Sequence, residues 1–82
     1  MPELSRFYGL IVKMFFKDHA PPYVHVVYGE YVAIYDIGTQ RMTEGDLPVR
    51  GQALVKEWLA LHTAELLEIW NSQNFRKIPP LP

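Results

Sequence analysis

Lys13, Lys17, Asp18, His19, Tyr23, His25 and Asp36 crowd the first half of the chain, and they are the residue types on which acid–base or metal chemistry would draw. His25 is the best placed for proton transfer, because an unperturbed imidazole titrates near pH ~6.5 and exists in both forms under ordinary conditions. Tyr23 or Asp36 would orient it, and Lys13 or Lys17 would stabilise negative charge developing on a phosphate. Such equipment suits cleavage of RNA without a metal, with the ribose hydroxyl as nucleophile. Asp18, His19, His25 and Asp36 also carry metal-ligand types, but His19 and His25 straddle a double proline at no standard ligand spacing. No metal and no cofactor is assigned. Gly9, Gly29, Gly38, Gly45 and Gly51 form no phosphate-cradling pattern.

The elements that must position these groups follow from local pattern. Tyr8–Lys17 is rich in β-branched and aromatic residues and reads as a strand, with Leu10, Val12, Met14 and Phe16 on one face and Ile11, Lys13, Phe15 and Lys17 on the other. Pro21 and Pro22 interrupt it, since neither offers an amide donor to a ladder. Val24–Tyr28 and Tyr31–Ile37 follow as two strands joined by Gly29-Glu30, the Gly-X pair expected of a two-residue type II′ hairpin loop. That turn dictates a register pairing Tyr28 with Tyr31, Val26 with Ala33 and Val24 with Tyr35 on one face. Val27–Val32, His25–Ile34 and Tyr23–Asp36 then pair on the other. The tyrosine face is expected to be the core.

Arg41–Glu44 is read as a short edge strand, and Gly45-Asp46-Leu47-Pro48 as the opening of a helix. Val55, Trp58, Leu59, His62, Leu66, Ile69 and Trp70 recur at helical spacing, so residues 48–71 form an amphipathic helical segment, with a break expected at His62-Thr63. On that stripe Trp58 and Trp70 read as core anchors, and His62 as a core or capping histidine hydrogen-bonded to backbone. The fold class is therefore α+β: a three- or four-stranded antiparallel sheet backed on one face by one long or two short C-terminal helices. Within a single domain spanning 1–82, residues 1–7 are an N-terminal segment, 8–44 the sheet, 48–71 the helical segment and 72–82 a Pro-rich tail of polyproline-like character.

Composition narrows the function classes. A net charge of -1 argues against a strongly basic nucleic-acid footprint, and the absence of cysteine excludes a disulfide scaffold. No apolar run approaches the ~20 residues of a membrane span, and the expected location is cytoplasmic. A chain of 82 residues builds only a modest core, so a partner subunit is expected to add stability.

Leu4-Ser5-Arg6-Phe7-Tyr8-Gly9, the Met14–Pro22 segment, Val24-His25-Val26 with Tyr28-Gly29-Glu30-Tyr31, and Trp58, His62, Glu65, Leu66 and Trp70 together resemble a family of small bacterial proteins called domain of unknown function 4160. Members commonly read Pro-Pro-His-Phe-His where this chain has Pro21-Pro22-Tyr23-Val24-His25, so tyrosine replaces the first histidine. They also tend to carry charges where Val27 and Val32 stand, which implies that this face meets solvent. The resemblance further implies a gene neighbourhood looking like a toxin–antitoxin pair.

These strands lead to two functional expectations. If the helical segment covers the tyrosine face, the opposite face keeps Phe15, Val27, Val32 and Ile34 as an apolar interaction surface for a second copy or a small neighbouring-gene protein. The alternative is a metal-independent, ribonuclease-like toxin using His25 with Lys13, Lys17, Tyr23 and Asp36.

Overall fold

The β3–β4 hairpin is the fixed point of the architecture. In the computed structural model, which describes residues 3–15 and 21–82, β3 (Tyr23–Tyr28) and β4 (Tyr31–Asp36) meet at Gly29, whose φ is 60°. Their register is the one that the Gly-X loop dictates: Tyr28 opposite Tyr31, Val26 opposite Ala33 and Val24 opposite Tyr35, with Val27–Val32, His25–Ile34 and Tyr23–Asp36 between them. Side chains alternate across a strand, so Val24, Val26, Ala33 and Tyr35 are buried together while their neighbours face outward. Tyr31, beside the turn, belongs to the core face but is 43% exposed.

The sheet has five strands rather than three or four, in the order β1-β2-β3-β4-β5, every neighbouring pair antiparallel. The additional strand is β1 (Glu3–Phe7), which lies in the segment expected to precede the sheet and pairs with β2 (Leu10–Lys13). The expected single strand from Tyr8 is therefore a hairpin whose turn is Tyr8-Gly9. Tyr8 has φ 47° and Gly9 φ 86°, so both central residues take the left-handed values that match the twist of the flanking strands. A bulky residue rarely adopts such a φ, which is why the sequence conceals this turn. Phe16, Lys17, Asp18 and His19, which the sequence reading placed in the strand and its turn, lie outside the described residues.

At the opposite edge, β5 (Met42–Gly45) realises the expected short strand. Gly45 ends it at φ 83°, and a Cβ there would lie 2.1 Å from the Val32 carbonyl oxygen, so only glycine allows the backbones this close. One C-terminal helix, α1 (Val49–Ser72), follows Pro48 at the N-cap. It is kinked where a break was expected: His62 leaves helical geometry at φ -121°, ψ 15°. Around the kink the Thr63 hydroxyl donates to the Leu59 carbonyl at 2.6 Å, and His62 Nδ1 lies 2.7 Å from Glu65 Oε1. Such side-chain bonding to the helix backbone is a recognised cause of bending.

Val55, Trp58, Leu59, Leu66, Ile69 and Trp70 of α1 join Leu10, Val12, Val24, Val26, Ala33 and Tyr35 in one buried cluster. Gln73 then closes the helix in a left-handed cap, its amide donating to Ile69 at 2.8 Å. Beyond it the tail returns to β1, where the Ile78 amide donates to the Leu4 carbonyl at 2.8 Å, and Ile78 and Leu81 are buried.

Candidate functional site

Because α1 covers one face, the outward residues of β2, β3 and β4 form a second surface, and the register decides who meets whom on it. Lys13 stands opposite His25, which stands opposite Ile34, which stands opposite Glu44. One row along, Arg6, Ile11, Val27 and Val32 are successive partners, and at the other end Tyr23 faces Asp36. Lys13, Tyr23, His25 and Asp36 thus share this face, as the alternation requires. Lys17, named with them from the sequence, falls outside the described residues, as do Asp18 and His19.

His25 is half-buried. Phe15 meets its ring edge to face at a centroid distance of 4.2 Å, and the Tyr23 ring lies 5.4 Å away on the other side. Tyr23 in turn lies 5.3 Å from Trp70, which ties the outward aromatic set to the core. Two aromatic neighbours restrict the imidazole to few rotamers, a form of pre-organisation useful to either function expected of it. Asp36 is occupied differently: its Oδ1 accepts the Thr39 amide at 2.9 Å, while its main chain bonds to Gln40 and Arg41. That carboxylate shapes the β4–β5 turn, as aspartates do in Asx turns, instead of being dedicated to His25. Among the described residues, no three His, Cys, Asp or Glu side chains gather as metal ligands.

The apolar members of the face are Ile11, Phe15, Val27 and Ile34, each partly exposed, and Val32, 51% exposed. Arg6 and Glu44 flank them; sequence reasoning did not place Arg6 here because β1 was not recognised as a strand, whereas Glu44 stands on the expected short edge strand. Gly9 is the one residue of the Tyr8-Gly9 turn whose type hints at it, since Tyr8 at a positive φ conceals the rest. A second feature had no sequence signal: Arg41 and Lys56, distant in the chain, line one cleft of about 370 Å³ with Tyr35, Gln40 and Gln52. Burial pushes the Tyr35 phenol up from its ordinary pKa.

Fold and face together define a small α+β domain, a meander sheet with a helix on one side and a mixed aromatic, apolar and basic surface on the other. A family model described as Domain of unknown function (DUF4160) matches residues 9–71, and the chain belongs to that family. No curated protein and no solved structure matches it. Among the described residues no helix is long and apolar enough to cross a membrane.

Proposed function

We propose that this chain is a protein-interaction module whose open sheet face docks another chain, a second copy or the small product of a neighbouring gene in a toxin–antitoxin-like pair. The observation that carries this reading is the half-exposed Val32, set opposite Val27 and two residues from Ile34 along β4, on the face that α1 leaves open. A solvated antiparallel sheet ordinarily alternates apolar-in and polar-out, and β-branched residues on its outer side are surface waiting to be covered. Burial returns ~25 cal/mol per Å², so a few hundred Å² of this face is worth several kcal/mol before the costs of association. Arg6, Lys13 and Glu44 at its margin supply the polar rim that sets partner choice. The test is the double substitution Val27→Glu with Val32→Glu, followed by light scattering for self-association and by co-purification with the neighbouring gene product. Loss of assembly with a retained fold supports the reading. Unchanged assembly, or a wild-type chain that engages neither partner, removes it.

A second reading draws on the Lys13–His25 register pair and the nearby Tyr23 ring. In it His25 takes the proton from a ribose 2′-hydroxyl, the 2′-oxygen attacks the adjacent phosphorus, and the 5′-oxygen leaves with a proton returned to it. A 2′,3′-cyclic phosphate results, and the Lys13 ammonium meets the charge that builds on the phosphoryl oxygens. Tyr23 is the better orienter here, since the Asp36 carboxylate serves its turn. If RNA is cleaved by the wild-type protein, His25→Ala should abolish cleavage while leaving the thermal transition in place; equal cleavage by the variant would end this assignment.

A further inference from the structure

The tail meets the domain with a period of three. Ile78 and Leu81 are buried while Pro79, Pro80 and Pro82 are exposed. The hydrogen bonds repeat at the same interval: the Trp58 indole N–H donates to the Pro79 carbonyl at 3.0 Å, and the Tyr8 hydroxyl donates to a main-chain oxygen of Pro82. Three residues per turn is the period of polyproline II, a helix with no internal hydrogen bonds whose carbonyls are free to accept from a partner. Phe7 completes the aromatic wall, its ring 5.7 Å from Trp58 and 6.4 Å from Tyr8. Two indole or phenol donors spaced one ligand turn apart, with apolar seats between, constitute the chemistry by which aromatic grooves read proline-rich segments.

The residues ahead of the prolines are also met. Lys77 pairs with Glu3 and Arg76 with Glu68, each at 3.3 Å. Glu3 is additionally bonded to Arg6 at 2.8 Å, and these cations hold its carboxyl below the usual range. The tail does not fill its berth. A cleft of about 460 Å³ remains between β1 and the tail, lined by Leu4, Ser5, Arg6, Ile78 and Pro79 among others, and the buried Ser5 hydroxyl has no partner among the described residues.

From these observations we infer that β1, the Tyr8-Gly9 turn and the Trp58 side of α1 form a polyproline-reading groove that holds the chain's own tail as a resident, exchangeable ligand. The ligand class it takes is a basic–apolar–Pro–Pro–apolar–Pro segment, presented in trans by a partner. This site is separate from the open sheet face. The tail is tethered at Gln73, so its effective concentration at the groove is in the millimolar range, and a modest intrinsic affinity suffices to keep it docked. A partner's segment binds when it exceeds that competition, and the resident tail sets the threshold.

The experiment titrates a labelled peptide of residues 75–82 into two full-length proteins, wild type and the double variant Ile78→Asp with Leu81→Asp. The variant is expected to bind the peptide about ten-fold or more tightly than wild type, because its own tail no longer competes. Tight binding should be lost again when Trp58→Phe, which keeps an aromatic side chain but removes the indole N–H donor, is added to a variant shown to remain folded. A folded double variant that takes up no peptide would overturn the inference and leave the tail as a structural closure. Should the variant not fold, hydrogen exchange on the wild type decides the matter. The Ile78 amide and the Trp58 indole N–H are expected to exchange at least about 100-fold faster than the β3 amides, as for a locally opening segment. Exchange only at the rate of the core would equally overturn it.

Discussion

Val26 and Val27 are adjacent residues of one type in one strand, and they occupy two different worlds. Val26 is fully buried between β2, β4 and α1; Val27 points to the open face, half-covered, opposite Val32. The difference follows from the pleat alone, which sends successive side chains to opposite sides. The sheet therefore separates stability from candidate function: the α1 side carries the core, and the other side carries His25, Lys13 and the apolar surface. Residues on the second side can be changed without first dismantling the fold, and that separation is open to direct attack.

The largest effect is expected on the covered side. Leu66 is fully buried in α1, and Leu66→Ala should cost about 2–5 kcal/mol, the range for a leucine deleted from a packed core. At ~4–8 °C per kcal/mol for a domain of this size, thermal unfolding should reveal a large fall in midpoint. A shift of only a degree or two would mean that α1 does not pack as a rigid cover, and the contrast between the two faces would lose its basis.

How much of this contrast the sequence carries depends on what enforces each element. The β3–β4 register was legible because Gly29-Glu30 permits only a two-residue connection, and a slip by one residue would turn the whole apolar set outward. The His62 kink was legible from Thr63 and Glu65: the Thr63 hydroxyl bonds to the helix backbone at Leu59, and the Glu65 carboxylate meets the His62 ring. β1 was not, because its turn relies on Tyr8 at a positive φ, held by contacts remote in sequence such as the bond from Tyr8 to Pro82. The docked tail was read as polyproline-like, but its destination depends on Trp58 and Leu4, distant partners that no local pattern announces. On the open face the register brought Lys13, Tyr23, His25 and Asp36 to one side as expected. The engagement of Asp36 by the Thr39 amide belongs to turn geometry and escaped periodicity.

A middle-sized effect sharpens the comparison through pH. Tyr35 lies on the covered side, and its burial disfavours the phenolate, raising its pKa in the folded chain. A folded-state pKa raised above the unfolded value contributes stability that is fully present below pH ~10, where both states hold the proton, and is lost as pH rises through the folded value. Stability should therefore decline above pH ~10 in part through this one group. Tyr35→Phe should flatten that portion of the curve in denaturant titrations at stepped pH, with little change near neutrality. A variant curve parallel to wild type through the alkaline range would show that the Tyr35 phenol reaches solvent, and with it that the covered face is wetter than its packing implies.

The smallest effect on folding belongs to the open side. Val32 is 51% exposed on a strand whose inner neighbours, Ala33 and Tyr35, do the packing, so Val32→Ala removes atoms that water already touches. Surface substitutions of this kind ordinarily fall within about ±0.5 kcal/mol, to which the lower β-propensity of alanine adds some tenths on the unfavourable side. The midpoint in urea should scarcely move in a dilute sample. If Val32 lies in an interface, the same substitution should acquire a cost that grows with protein concentration, because a contact made only in the assembled state stabilises by mass action. Unfolding measured at dilute and at hundred-fold higher protein concentration separates the cases. A concentration-independent loss comparable to that of Leu66→Ala would mean that this valine is core after all, and the two faces of the sheet would no longer differ in the way the structure assigns.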